Sequence, residues 1–503
     1  MNAAADIPAP PADRRLHPWS WLFVLLQQLR QFVVPLLVLL FAGRRNGPGE
    51  FADWAPLLGV VVLVAVAVLQ YFTYRYRVGA DGISIRSGLL QRTQREIPFA
   101  RIHNVALHQS LLHRLFGVAE VRLESAGGQK PEAQMRVLGL ADALALERQV
   151  RTRGTAAADA PGSPAQAADG EVLLALSTAE VVRLGLVSNR GMIVLAAAFG
   201  VVWQAFPERA AADWLQRLFR EAMGYAGQLH LGWVGTVAAA LALLALFVAL
   251  LRLLSVALAL VQYHGFRLSG GRGRLTVERG LFARSRTSVA PRRIQAWHLQ
   301  ETALHRLFGR RSLRIDTATG GREDDPRRLR ELAPIATPAA CDALAGGLLP
   351  AAQWPPAQWR ALPPGCGWRL FAGSVPWNLL VTGLLCWHFG GWGLLALLWL
   401  PWSAYAAWRQ ARYLAYAVDA RLVAVRGGWW SRWWRFAEID KLQGLRLQRS
   451  PLDRWLGTAS LWLDTAGAGA MSPPLRIRFL PEAEARDLYH RLGRALAARR
   501  LRW

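Results

Sequence analysis

The sequence predicts membrane α-helical hairpins joined to all-β or α+β cytoplasmic modules, three of each, in a chain of 503 residues. Three observations predict it. An eight-residue phrase recurs, as "SLLHRLFG" at 110–117, "TALHRLFG" at 302–309 and "SPLDRWLG" at 450–457. A long apolar stretch with an irregular middle precedes each copy. A formal net charge of +26 also coexists with 53 % hydrophobic residues and 23 Trp, a combination that fits a bilayer better than an ordinary soluble enzyme.

The N-terminal "MNAAADIPAPPADRR" is rich in Pro and Ala and carries no apolar core or cleavage pattern. The first hydrophobic stretch is therefore expected to stay as an anchor. The three cysteines, Cys341, Cys366 and Cys386, are scattered, which argues against a disulfide framework or a zinc site. Nearly every cation is Arg, only Lys130 and Lys441 excepted. So complete a bias reads first as genome composition and only second as selection for bidentate anion contacts.

Six hydrophobic segments fall into three pairs. Trp54–Phe72 and Trp233–Val261 are the clearest; the second would be about 43 Å long as a helix against a core of about 30 Å. Less regular partners precede them, Trp21–Ala42 and Leu184–Phe206. The third pair is fused over Val375–Trp408, with "FGGWG" as its turn. Arg30 and Arg190 are placed near the headgroups, because an Arg at the bilayer centre costs about 2.5–3.5 kcal/mol. Six spans are expected, with three shallow hairpins as the alternative. The loops inside the pairs are poor in Arg, whereas the stretches after them begin with "YRYR" at 74–77 and "WRQAR" at 408–412. The positive-inside rule then puts both termini and all three polar regions in the cytoplasm.

Each polar copy opens on a Tyr, at Tyr74, Tyr263 and Tyr413, and continues as two strands around a turn Gly, at Gly88, Gly280 and Gly427. The next strand repeats its apolar positions at fixed spacing: Ile102, Val105 and Leu107; Ile294, Trp297 and Leu299; Leu442, Leu445 and Leu447. The repeated phrase follows. Ser110, Thr302 and Ser450 read as N-caps of one helical turn. Leu112, Leu304 and Leu452 are expected to point inward, and Gly117, Gly309 and Gly457 to supply a left-handed exit. A further strand, a last strand and an amphipathic helix complete the copy. Arg114, Arg306 and Arg454 recur within the phrase, and Glu124, Asp316 and Asp464 stand seven residues beyond the Gly. An Arg–carboxylate pair in each copy is the expectation.

These features together (Tyr after a hairpin, strand–Gly–strand, I-x-x-V-x-L, [ST]-x-L-x-R-x-x-G and "DTAG") resemble the bacterial pleckstrin-homology-like domain formerly known as domain of unknown function 304. The whole chain resembles YdbT-type membrane proteins, which carry three such domains, each behind a hydrophobic hairpin. The resemblance covers nearly all but the linker "GTAAADAPGSPAQAADG", and the third copy departs most, with "GGWWSRWWRF" where the first has "SGLLQRTQRE". It implies two packed antiparallel sheets capped by a C-terminal helix, and no established activity. The expected division is a tail at 1–18, hairpins at 19–73, 171–262 and 368–408, PH-like domains at 74–153, 263–350 and 409–503, and linkers at 154–170 and 351–367.

His103, His108 and His113 form a tempting cluster, but Asp453 takes the place of His113 and His305, and Gln295 that of His103. A metal in every copy is thereby excluded. "SGGRGR" at 269–274 sits in a β-turn rather than before a helix, so it does not read as a phosphate loop. No nucleophile, paired-carboxylate or metalloprotease motif appears, and neither catalysis nor a cofactor is expected. The basic clusters carry more promise: Arg92, Arg95 and Arg101; Arg284, Arg286, Arg292 and Arg293; Arg432, Arg435 and Lys441. Near an anionic leaflet each cation is worth about 1 kcal/mol. They are candidates for anionic lipid or for a partner, with a generic positive-inside surface as the plain alternative; nucleic acid is not expected. The reading is a membrane scaffold for lipid or for a smaller single-module membrane relative. An envelope-stress, antimicrobial-resistance or transport component acting through its hairpins is the alternative.

Overall fold

The computed structural model describes residues 14–26, 50–156, 171–205 and 232–498, less 16, 80, 89–91, 100–101, 126–132, 272, 318–328, 350–351 and 467–473, with a few helical positions between 213 and 224.

The first module comprises β1 (Arg14–Arg15), the apolar helix α1 (Glu50–Thr73), β2 (Arg75–Val78), β3 (Gly82–Ser87), β4 (Thr93–Pro98), β5 (Ile102–Gln109), the short α2 (Leu111–Leu115), β6 (Val118–Ser125), β7 (Ala133–Gly139) and α3 (Leu140–Ala156). The second repeats the order with β8 (Glu171–Ala175), membrane-type helices α4 (Thr178–Val187), α5 (Arg190–Ala205) and α6 (Trp233–Tyr263), then β9 (Arg267–Gly271), β10 (Arg274–Arg279), β11 (Arg284–Val289), β12 (Ile294–Glu301), α7 (Ala303–Leu307), β13 (Arg311–Thr317), β14 (Glu331–Ala336) and α8 (Pro338–Leu348). The third has β15 (Arg360–Ala361), α9 (Cys366–Phe389), α10 (Trp399–Tyr413), β16 (Ala415–Val418), β17 (Leu422–Gly427), β18 (Arg432–Glu438), β19 (Leu442–Gln448), α11 (Pro451–Trp455), β20 (Thr458–Thr465), β21 (Leu475–Pro481) and α12 (Glu482–Ala497).

Each module is thus a pair of antiparallel sheets closed by an amphipathic helix, and the repetition extends to irregularities. The strand pairs β5–β6, β12–β13 and β19–β20 slip register at the same place, after Ile102, Ile294 and Leu442. Each module also begins before its hairpin. Arg14–Arg15, Glu171–Ala175 and Arg360–Ala361 pair with β2, β9 and β16. The stretch from 171 to 175, expected to belong to the second hairpin, is therefore a strand of the module.

The sheets do not stop at module boundaries. The orders are β1-β2-β3-β4, then β7-β6-β5-β11-β10-β9-β8, then β14-β13-β12-β18-β17-β16-β15, then β19-β20-β21. The second sheet of one module is continuous with the first sheet of the next. The second module's core includes Leu422, Trp434 and Phe436 from the third, with Trp297 and Phe436 stacked at 6.0 Å between ring centroids.

Among the described residues, Val234–Tyr263 and Cys366–Tyr413 are long and apolar enough to cross a membrane; α4 and α5, bent by 55°, make a third if counted as one span. Six separate spans do not emerge from the described residues, and most of Trp21–Ala42, with Arg30, lies outside them. Small residues bring the second hairpin together. A Cβ on Gly185 would lie 2.4 Å from Val256 Cα, and the Gly191 N–H donates to Ser255 Oγ at 2.8 Å. In the third, "FGGWG" starts a 3-10 stretch, Gly390–Leu398, in which Gly393 abuts the Cys386 backbone and lets the chain reverse.

Candidate inter-module docking site

The repeated phrase folds alike three times. Ser110, Thr302 and Ser450 cap α2, α7 and α11, accepting from the N–H of His113, His305 and Asp453. Gly117, Gly309 and Gly457 leave the turn at φ +63, +59 and +63, a conformation open to glycine at little cost. The third residue of each turn, rather than the leucine before it, is what points inward. His113, His305 and Asp453 are buried, whereas Leu112 and Leu452 are exposed and Leu304 half-exposed. The reason is that this residue meets the capping hydroxyl in all three copies and, in the second and third, also accepts from the N-cap backbone N–H. Ser110 Oγ lies 2.6 Å from His113 Nδ1, Thr302 Oγ1 2.8 Å from His305 Nδ1, and Ser450 Oγ donates to Asp453 Oδ2 at 2.7 Å. A histidine and an aspartate do the same work here, so their exchange between copies is a capping substitution. Among the described residues, no group of three or more His, Cys, Asp or Glu is placed to hold a metal.

The arginine of the phrase reaches forward, into the next module. Arg114 Nη1 donates to the Leu281 carbonyl at 3.0 Å, and Arg306 Nη2 to the Trp430 carbonyl at 3.2 Å. Both carbonyls lie in the loop before the strand that continues the sheet, and Gly280 and Gly428 turn those loops at φ +113 and +87. The third copy turns at Gly428, one residue beyond the expected Gly427. The expected Arg306–Asp316 pair does not form. Seven residues of strand carry a side chain roughly 23 Å from the turn, well beyond an arginine's reach. Asp316 instead meets Arg435 at 2.6 Å, Asp464 is exposed, and the Glu124 side chain lies outside the described residues.

The two junctions share one register. Gln109 faces Arg284 and Leu107 faces Arg286 in the first; Glu301 faces Arg432 and Leu299 faces Trp434 in the second. By the repeat, Gln109 is equivalent to Glu301, and Arg284 to Arg432. Charge is matched across both. Arg286 lies 3.7 Å from Glu147 of the first module, and Glu301 is shared by Arg311 at 3.2 Å and Arg432 at 4.0 Å. Lys441 Nζ donates to the Arg292 carbonyl at 2.7 Å.

The basic clusters therefore divide. Arg286, Arg432, Arg435 and Lys441 are engaged between modules. Arg92, Arg95, Arg284 and Arg292 are exposed, Arg293 is half-buried, and Arg101 lies outside the described residues. Burial, with Arg292 and Arg274 nearby, pulls Arg293 down to about 10. Arg435 is 1 % exposed and lines, with Asp316, His298, Arg314 and Glu331, a cleft of about 480 Å³ on the second junction. Burial, then Arg435 and Arg314, push His298 down to about 3. Glu331 is held below the usual carboxylate range: burial opposes ionisation but Arg314, the Tyr263 hydroxyl, Arg190 and Arg279 outweigh it. Arg190 itself stands at the α4–α5 bend, against the second module.

Each capped turn is also tied to a helical segment that precedes its module. Phe23 packs on His113 at 4.1 Å between ring centroids, Arg310 bonds Glu180 of α4 at 2.7 and 2.9 Å, and Arg369 of α9 bonds Asp453. The three ties differ in chemistry, and the second uses Arg310 beyond the glycine rather than the third residue of the turn, so no shared motif announced them. The loop before β18 meets α10 as well, Trp429 lying 5.7 Å from Trp402 and 5.4 Å from Tyr405 between ring centroids, an aromatic cluster of the kind found where helices leave a bilayer.

Comparison with known proteins agrees with this threefold architecture. The transmembrane protein YdbT of Bacillus subtilis (strain 168), of family UPF0699, is 23 % identical over 418 residues, covering 80 % of this chain and 82 % of that protein. No solved structure matches. Residues 23–154, 227–338 and 370–496 each match the bacterial PH domain, and with most of its length so matched the chain belongs to the bacterial PH domain family.

Proposed function

We propose that the protein is a non-enzymatic, multi-pass component of the bacterial inner membrane whose three PH-like modules form one cytoplasmic platform for a partner membrane subunit or anionic lipid. The observation that carries this reading is the fusion of neighbouring modules through shared sheets, which turns three small domains into a single extended surface. That surface is tied at each capped turn to a segment preceding its module. Exposed Arg92, Arg95, Arg284 and Arg292 add positive charge to that surface. The Arg-poor loops within the hairpins favour modules on the cytoplasmic side.

Two measurements test the reading. Reporter fusions at Gly47 and Ala226 should report the periplasm; a cytoplasmic signal at both would overturn the topology. Purification of the full chain from its own membranes in mild detergent should retain a membrane protein or anionic lipid at constant stoichiometry. Retention of neither would overturn the scaffold.

A further inference from the structure

We infer that β19 is the docking edge for a PH-like module of a different polypeptide, joined as the modules of this chain are joined to one another. The inference rests on the scaffold reading and names the surface that the scaffold presents.

A junction in this chain has a donor half and an acceptor half. The donor half is the fourth strand of a module with the loop before it, as in β11 and β18. The acceptor half is the fifth strand, its inward-facing apolar residues and the arginine of the following turn. The third module carries a complete acceptor half. Its β19 ends the last sheet, with no strand among the described residues on its outer side. Leu445 and Leu447 occupy the positions of Trp297 and Leu299, and of Val105 and Leu107. Those four are buried at made junctions, whereas Leu445 and Leu447 remain half-exposed. Arg454, the counterpart of Arg114 and Arg306, is exposed and has no side-chain partner among the described residues. An open apolar edge of this kind invites strand addition.

The occupant is not a second copy. Among the described residues, the one unfilled donor strand belongs to the first module, and this β4 is the polar "TQREIP", exposed at all but Ile97. Charged residues and a Pro are how an edge is kept from pairing. In the register common to both junctions, Arg449 would face Arg92 and Arg446 would face Arg95. Like charges directly opposite one another destabilise a sheet. The third module has exchanged the Glu or Gln of the other acceptors for Arg449. Arg449 is already bonded to Glu482 of its own module at 2.6 Å, so the matching strand must lack a cation where β11 and β18 carry Arg284 and Arg432, and an apolar residue facing Leu447, as Trp434 faces Leu299, completes the fit.

The test uses the full chain in its native membranes, with the photo-crosslinker p-benzoylphenylalanine at Gln448 or, as a control, at Thr93. Gln448 should give an adduct mapping by mass spectrometry to a strand of a PH-like module in another polypeptide, and Thr93 should not. Leu447→Lys should lower the yield at least tenfold. Arg454→Gln, at an exposed position that leaves the core intact, should lower it severalfold. An adduct with residues 93–98 of a second copy, an adduct insensitive to both substitutions, or no adduct overturns the proposal. If a partner or lipid still copurifies when Gln448 gives no adduct, the docking edge alone fails; if nothing copurifies, the scaffold reading fails with it.

Discussion

Arg435 of the third module and Asp316 of the second meet at 2.6 Å across their shared sheet, with the arginine 1 % exposed. Removing one partner from a buried pair leaves the other charge unsatisfied, at a cost of about 3–5 kcal/mol. Asp316→Asn and Arg435→Gln should each destabilise the second and third modules by this order. Combining Asp316→Leu with Arg435→Met should recover most of the loss. Thermal unfolding of the detergent-solubilised chain, followed by protease sensitivity around 429–438, measures it; losses below about 1 kcal/mol would mean that the pair does not hold the junction.

The same junction should be sensitive to acid. His298 is pushed down to about 3 by burial and by Arg435 and Arg314, and His305 to about 4 by burial and by Arg314. Both fall below the ordinary value of 6.5. The unfolded chain therefore binds more protons, and the stability these neutral rings contribute is full above pH 6.5 and lost as the pH falls through 4 and then 3. His298→Gln should roughly halve the loss between pH 6.5 and 4 and remove what remains between 4 and 3. A melting temperature independent of pH between 4 and 7 would contradict the assignment.

How much of this was legible beforehand follows from what kind of signal each feature leaves. The caps and glycine exits of the repeated phrase were readable, because a single helical turn is specified by adjacent residues. Strand periodicity and the C-terminal helices were readable for the same reason. The leucines, which the sequence predicts inward, yield that place because contact with the capping hydroxyl turns His113, His305 and Asp453 in instead. The forward bonds of Arg114 and Arg306 end on backbone carbonyls, which carry no sequence signature. The pairing of β5 with β11 joins strands more than 170 residues apart by numbering, and only the recurrence of Arg284 and Arg432, opposite Gln109 and Glu301, hints at it.

Lipid binding should follow exposure rather than cluster membership. Arg92, Arg95, Arg284 and Arg292 are exposed, and a cation near an anionic leaflet contributes about 1 kcal/mol. Replacing all four by Gln should weaken binding of the full chain to anionic vesicles on the order of 1000-fold at low salt. The difference should vanish near 1 M salt, where the screening length is about 3 Å. Equal weakening by Lys441→Gln alone would mean that the inter-module cations, not the exposed ones, meet the lipid.

The last prediction concerns the tie between α9 and the third module. Asp453 is 4 % exposed and bonded by Arg369, by Ser450 at 2.7 Å and by Thr458 at 2.9 Å. Burial would raise its pKa, but these bonds outweigh it and hold the carboxyl well below its usual 3.8. The stabilisation is therefore present above pH 3.8 and is lost only as the pH falls below it. At neutral pH, Arg369→Gln strips the ionised carboxylate of its charge partner while leaving it buried, and should cost about 3–5 kcal/mol. Asp453→His, the residue of the other two copies, should keep the cap but leave Arg369 buried without its carboxylate, because a ring at this place stays neutral as His305 does. It should therefore be rescued in part by Arg369→Gln. A double-mutant cycle on the full chain, read by unfolding of the third module, should return a coupling above about 1 kcal/mol. A strictly additive cycle would mean that the helix and the capped turn touch without sharing energy, and the membrane segment would then be free to move without the module.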